Sequence, residues 1–240
     1  MMPFQILALV HAADATGDGL PDLIITNFQH EPNSLYRNDG KLGFTEISYP
    51  SGIGSPSLNR LAFGVAFADL DGNGWADLYV GNGHVYDNVE KFDDTATFEQ
   101  VDQVFLNGGA GKFREETPDG RRIPGTASVT RGVAAGDLND DGAIDIVTNN
   151  LGRRARILEN RTRPKGPWLG LRLLDSKGAT AIGARVELRC KGLKQVREVQ
   201  SGGSYLCQHD IRALFNLPAG TAAGDVEIGV RWPDGKQRKL

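Results

Sequence analysis

Two cysteines among 240 residues, Cys190 and Cys207, are too few for a disulfide framework or a four-cysteine zinc site. They fit either one bridge in an oxidising setting or two small buried thiols. Long apolar runs are also lacking, and none approaches the ~20 residues that a helix needs to span a bilayer. Phe4–Val10 is apolar, but it has no basic leader and is too short for a signal peptide. The net charge is only −3, which offers none of the basic surface that marks a nucleic-acid binder.

Catalytic signatures are missing as well. His11, His30, His84 and His209 fall in no zinc spacing. The chain holds no G-x-S-x-G nucleophile turn, no G-x-x-x-x-G-K-[ST] phosphate loop and no strand-borne G-x-G-x-x-G. Each histidine reads as solvated or structural; an enzyme would draw on His84, Tyr86 or His209. The arginines at 153, 154, 156, 161 and 163 read as a solvated basic face. Asn160-Arg-Thr162 is a glycosylation sequon with meaning only in a eukaryotic secretory host.

Glycine, in contrast, is abundant at 31 residues, against a usual share of ~7%. That suits many short strands joined by tight turns. An acidic nonapeptide also occurs three times. It spans Asp14–Asp22, Asp69–Asp77 and Asp137–Asp145, and fits D-x-[DNT]-x-[DN]-G-x-x-D. Oxygen side chains fall at positions 1, 3, 5 and 9, with glycine at 6. A hard cation such as calcium takes six to eight oxygens, and alternate oxygens in a turn supply most of them.

Calcium ligands are therefore expected from Asp14, Thr16, Asp18 and Asp22 in loop 1. Loop 2 offers Asp69, Asp71, Asn73 and Asp77, and loop 3 offers Asp137, Asn139, Asp141 and Asp145. Backbone carbonyls of Leu20, Trp75 and Ala143, at position 7, would complete each shell. The competing reading is a metal-free Asx turn that satisfies its own backbone. Carboxylates crowded within nine residues repel unless neutralised, which favours the cation. Magnesium suits the pattern less, because it keeps its waters.

Each loop joins two short apolar segments, as Leu7–Ala13, Phe63–Ala68 and Gly132–Gly136 lead into Leu23–Asn27, Leu78–Asn82 and Ile146–Asn150. Val10, Val65 and Val133 hold equivalent places. These segments read as buried strands, so the loops are strand connections; an EF-hand would need flanking helices and a glutamate at position 12. Ser34–Glu46 and Gln103–Glu115 read as hairpins. A third such segment starts at Arg156 and breaks off, and an insertion occupies His84–Asp102. Units of about four strands stack radially as propeller blades. Three blades do not close a ring, which predicts further blades upstream; the alternative is an open three-unit stack that buries its ends against something else.

Arg163–Pro167 reads as a linker, after which the repeat is lost. Trp168–Leu174, Ala184–Cys190, Gln195–Gln200 and Val226–Trp232 predict a second, smaller β region. The division is 1–163 for the repeats and 164–240 for the rest.

The three loops resemble FG-GAP/VCBS repeats, the blades of integrin-α-like propellers. Trp168-Leu-Gly-Leu-Arg-Leu, Ala181-Ile-Gly-Ala-Arg-Val186, Arg197–Leu206 and Val230-Arg-Trp-Pro-Asp-Gly235 resemble the ASPIC/UnbV domain. With Asn82-Gly-His-Val-Tyr86, the chain is similar to the CRTAC type. The resemblance implies an all-β protein: a partial β-propeller of about three blades followed by a small ASPIC/UnbV domain. It further implies a calcium-binding, exported, non-catalytic scaffold that is secreted, cell-surface or periplasmic. The partner would be a protein or glycan at the cell surface or matrix, with no nucleic acid and no membrane span. The alternatives are an enzyme acting on a glycan or secondary metabolite, and a structural segment of a larger secreted protein. Two departures stand out: Thr16 where Asp or Asn is usual, and Cys207 where the family has serine.

Overall fold

Short alternating segments bounded by glycine build a structure in which nearly all regular elements are strands. The computed structural model describes residues 9–116 and 125–240. The first sheet runs in chain order through β1 (Leu9–Ala13), β2 (Asp22–Thr26), β3 (Ser34–Asn38) and β4 (Phe44–Glu46). The apolar segment before Leu9 lies outside the described residues. Two one-turn helices, α1 (Ser48–Ser51) and α2 (Gly54–Ser57), follow; the sequence reading did not anticipate them.

The second sheet repeats the first through β5 (Ala62–Ala68), β6 (Asp77–Asn82), β7 (Gln103–Asn107) and β8 (Phe113–Glu116). The third holds β9 (Thr130–Gly136), β10 (Asp145–Asn150) and β11 (Arg156–Leu158). Both expected hairpins are present, and every acidic loop joins the first and second strands of its sheet.

The sheets pack face to face, and burial of apolar surface between them is their main cohesion. Ile24, Leu35 and Ile53 meet Val65, Leu78, Val80 and Phe105 between the first pair. Tyr79 and Val104 meet Val133, Ile144 and Ile146 between the second. The expected equivalence of the three valines holds in position but not in burial. Val65 and Val133 are wholly buried, whereas Val10 is 48% exposed, because no described sheet covers its face.

The C-terminal region begins with β12 (Trp168–Leu171) and continues through β13 (Arg185–Cys190), β14 (Leu193–Glu198), β15 (Gly203–Ser204), β16 (Cys207–Gln208), β17 (Ala213–Asn216), β18 (Val226–Arg231) and β19 (Gln237–Lys239). A four-stranded sheet is ordered β14-β13-β18-β19, and β12 pairs with β17. Val186, Leu188 and Cys190 face its core as their alternation predicts. Cys190 and Cys207 are both free thiols, the first in this core and the second on the β15–β16 hairpin.

That hairpin sets the relation between the two halves. It lies against β1, β5 and β9, the inner strands of all three sheets. Ser204 Oγ accepts N–H donors from Val65 at 3.1 Å and Val133 at 3.4 Å. The hairpin thus plugs the axis about which the sheets are arranged. Gly132 makes room for it, since a Cβ there would sit 2.5 Å from Cys207 Sγ.

Candidate functional site

The three acidic loops share one backbone conformation. Position 4 is left-handed in each, at Gly17 (φ 77°), Gly72 (φ 72°) and Asp140 (φ 57°), and the position-6 glycines have φ of 93°, 92° and 85°. A side chain at position 6 would be strained there, which explains the recurring glycine.

Two carboxylates organise each loop. The position-1 group accepts from its own loop's amides: Gly17 and Gly19 donate to Asp14, Asn73 and Gly74 to Asp69, and Asp141 and Gly142 to Asp137. Position 9 ties the loop to the sheet. Asp22 accepts from the Ala15 and Asn38 amides, Asp77 from Leu70 and Asn107, and Asp145 from Leu138 and Asn160. Position 5 closes an Asx turn onto the amide of position 7, from Asp18 to Leu20, Asn73 to Trp75 and Asp141 to Ala143.

At position 3 the loops differ. In loop 2, carboxylate oxygens of Asp69, Asp71 and Asp77 lie within 4.8 Å of one another, the one such triple of potential ligands among the described residues. Loop 1 has Thr16, whose hydroxyl is buried with no hydrogen-bond partner among the described residues. Loop 3 has Asn139, whose amide donates to Asp141 Oδ2 at 3.0 Å.

Burial raises the affinity of Asp69 and Asp77 for protons. Asp77 is pushed up to about 8, chiefly by desolvation and then by the charges of Asp71 and Asp69. Asp69, Asp14 and Asp22 are also raised, with burial the leading cause. Three hard oxygen donors that resist sharing negative charge form a donor set suited to a divalent cation such as calcium.

One recurring residue escaped the sequence reading. Asn38 and Asn107 end the third strands of their sheets, and Asn160 lies two residues past β11. Asn107 Nδ2 donates to Ala76 O of its own loop at 2.9 Å and to Ala15 O of loop 1 at 2.8 Å. Asn160 Nδ2 likewise donates to Ile144 O at 3.1 Å and to Leu70 O of loop 2 at 2.8 Å. The repeated asparagine before the Asp/Gly turn was the visible signal.

The C-terminal region covers this face of the propeller. Lys194 Nζ donates to Asp18 O at 2.9 Å, and the Arg185 guanidinium to Gly19 O. Asn216 Nδ2 donates to Asp69 Oδ2 at 3.1 Å. Arg212 donates to Asp140 Oδ1 and Asp137 O, both at 2.5 Å. Gly142 abuts Trp168, and Gly74 abuts Leu193. Sequence reasoning had no route to these residues, which lie far from the loops along the chain.

Three of the four histidines serve packing, and exposed His30 instead meets Asp93 at 3.1 Å. His11 and His209 stack with ring centroids 4.8 Å apart. Phe67 N–H donates to His11 Nδ1, and Ala135 N–H to His209 Nδ1. His84 Nδ1 accepts from the Tyr86 amide, and its ring sits between Phe28 and Tyr86. Burial lowers the proton affinity of all three, that of His11 to about 3.

The opposite end of the strands carries exposed apolar groups. Tyr205, at the hairpin tip, meets Phe63, over which the Arg131 guanidinium lies 4.1 Å from the ring centroid. Arg131 also donates to Gly83 O and His84 O, both at 2.8 Å, which joins this cluster to Tyr86 and Phe92. Leu206 is 89% exposed at a φ of 50°.

Comparisons with known proteins agree with this arrangement. A family profile described as an FG-GAP-like repeat matches residues 14–80, and one described as ASPIC and UnbV matches 175–240. Cartilage acidic protein 1 of Xenopus tropicalis is 25% identical over 261 residues, covering 89% of this chain and 40% of that protein. The Mus musculus and Homo sapiens proteins are each 26% identical over 235 residues; 95% of this chain aligns to 34% and 33% of their lengths. The chain thus spans two fifths or less of these relatives. A solved Agrocybe aegerita lectin, described by its recognition of non-reducing terminal N-acetylglucosamine, aligns at 22% identity and a TM-score of 0.34, over 65% of this chain and 39% of its own. That likeness is too loose to carry an argument. Residues 14–80 thus match an FG-GAP-like repeat and residues 175–240 the ASPIC and UnbV family, and the chain is similar over most of its length to cartilage acidic protein 1.

Proposed function

We propose that this chain is a calcium-binding, exported scaffold for adhesion or binding, secreted or held at the cell surface or in the periplasm. Three observations support it. The convergence of Asp69, Asp71 and Asp77 carries the calcium reading. The relatives and the repeat family support the extracellular setting. Among the described residues, no helix is long and apolar enough to cross a membrane.

Calcium is structural on this reading. It neutralises carboxylates that burial would otherwise protonate, and it stiffens the strand connections. Asp69, Asp71, Asn73 and Asp77 hold it in loop 2, with the corresponding residues of loops 1 and 3 as further sites. The partner is a protein or glycan of the surface or matrix. Because the C-terminal region covers the acidic loops, the partner meets the opposite face, around Phe63, Tyr86, Phe92, Tyr205 and Leu206. Exposed aromatic and aliphatic groups on a rigid frame are what recognition surfaces are made of.

The enzyme alternative has less support. His84 and His209 each commit Nδ1 to a backbone amide and sit in packed aromatic surroundings.

Calorimetric titration of chelator-stripped protein with calcium tests the reading. Heat of binding with a rise in melting temperature supports it. No heat and an unchanged melt reduce the loops to Asx turns and end the calcium assignment.

A further inference from the structure

The three loops are not equivalent in what the C-terminal region brings to them. At loop 3, Arg212 places one guanidinium nitrogen on Asp140 and another on the Asp137 carbonyl, with Asp210 holding the same side chain from behind. At loop 1, Lys194 and Arg185 donate to the carbonyls of positions 5 and 6. Both loops therefore already have cationic side chains on their backbone oxygens. Loop 2 receives a neutral amide instead. Asn216 is 5% exposed, donates through Nδ2 to Asp69, and has its Oδ1 buried with no partner among the described residues. Arg197, buried nearby, donates to Val196 O and Gln195 Oε1; its charge favours ionised Asp69 from a distance, but among the described residues it bonds no oxygen of loop 2.

We propose that the C-terminal region selects among the loops, with Asn216 as the positioning residue that leaves loop 2 as the dominant divalent-cation site. Arg212 and the Lys194/Arg185 pair act as built-in counter-cations at loops 3 and 1. The inference deepens the calcium reading and rests on it.

The physical basis is competition between charges. A divalent cation entering loop 3 approaches the Arg212 guanidinium, and like charges at a few ångströms repel. Loop 2 presents three convergent carboxylates and an amide that orients Asp69 without adding charge. The Asn216 oxygen, buried without a partner among the described residues, belongs to the same amide that holds Asp69. Occupancy of loop 2 then fixes Asp69 against Asn216 and tightens the seat of the C-terminal region, because binding to the docked form alone shifts docking by mass action.

Calcium titrations of the metal-free full chain separate the possibilities. One tight site is expected in the wild type, lost in Asp71→Asn. Asn216→Ala should weaken it at least threefold, and Asn216→Gln, which keeps an amide donor for Asp69, should weaken it less. Arg212→Ala should leave the tight site within twofold and strengthen a second by tenfold or more, while Arg212→Lys should not. Circular dichroism and melting curves on each variant confirm folding. Three equal wild-type sites, or no second site in a folded Arg212→Ala, would overturn the inference while leaving calcium binding intact. No calcium binding to the wild type would overturn the calcium reading itself.

Discussion

Asn107, at the end of the second sheet's third strand, donates through Nδ2 to the carbonyl of Ala15 in the first acidic loop at 2.8 Å. The same nitrogen reaches Ala76 O in its own loop at 2.9 Å. One amide thus joins two loops and two sheets. Asn160 repeats the link one sheet later. The apolar faces give the sheets cohesion, and these amides fix how far one loop stands from the next.

Asn107→Ala should therefore leave two carbonyls without their donor. The expected loss is about 1–3 kcal/mol in urea-induced unfolding, the usual cost of stranding buried polar groups. Asn38→Ala should cost less, since among the described residues Asn38 Nδ2 bonds only Pro21 O of its own loop. Equal losses at both positions would show that the link between sheets adds nothing.

Calcium should raise the melting temperature reversibly. At a free concentration a hundred times the dissociation constant, one site contributes about 2.7 kcal/mol by mass action. Chelator should remove the increment, and Asp71→Asn should abolish most of it while the metal-free melt stays near wild type. Scanning calorimetry with and without chelator reads both effects.

His11 makes the protein acid-sensitive. Its folded-state proton affinity lies near 3 against an ordinary 6.5, because burial and the stacked His209 both disfavour the cation. The unfolded chain binds the extra proton between these values. Stability from this group is thus complete above pH 6.5 and lost as pH falls toward 3, by roughly 5 kcal/mol in all. His11→Asn keeps an acceptor for the Phe67 amide but cannot titrate. The difference between wild-type and variant stability should shrink or reverse across that window; a constant difference would exclude His11 as the source.

The axial hairpin should tolerate no added bulk at Gly132. A Cβ there would meet Cys207 Sγ at 2.5 Å and Tyr205 O at 3.0 Å. Gly132→Ala should cost about 1–3 kcal/mol through overpacking. Cys207→Ala in the same chain should recover part of that loss. Strict additivity of the two changes in chemical unfolding would mean that the hairpin does not occupy the axis.

Local pattern made the repeat legible in the sequence. Alternate oxygens and a position-6 glycine mark the acidic loops because the left-handed turn and the convergent carboxylates are written within nine residues. The alternation of Val186, Leu188 and Cys190 marked β13 for the same reason, since a strand's side chains switch face at every residue. The hairpins of the first two sheets followed from Asn and Gly at their turns. The β15–β16 hairpin left no such trace: its strands are two residues each, too short for any period to show, and its partners are inner strands from three separate sheets. Likewise, only folding decided that Asn216 lies on Asp69 and Arg212 on Asp140, across 147 and 72 residues of chain. The sequence by itself determined which loops have the chemistry to hold a cation. Tertiary structure decided which of them meets a positive side chain, because local spacing dictates backbone conformation while charge at a loop depends on what packs over it.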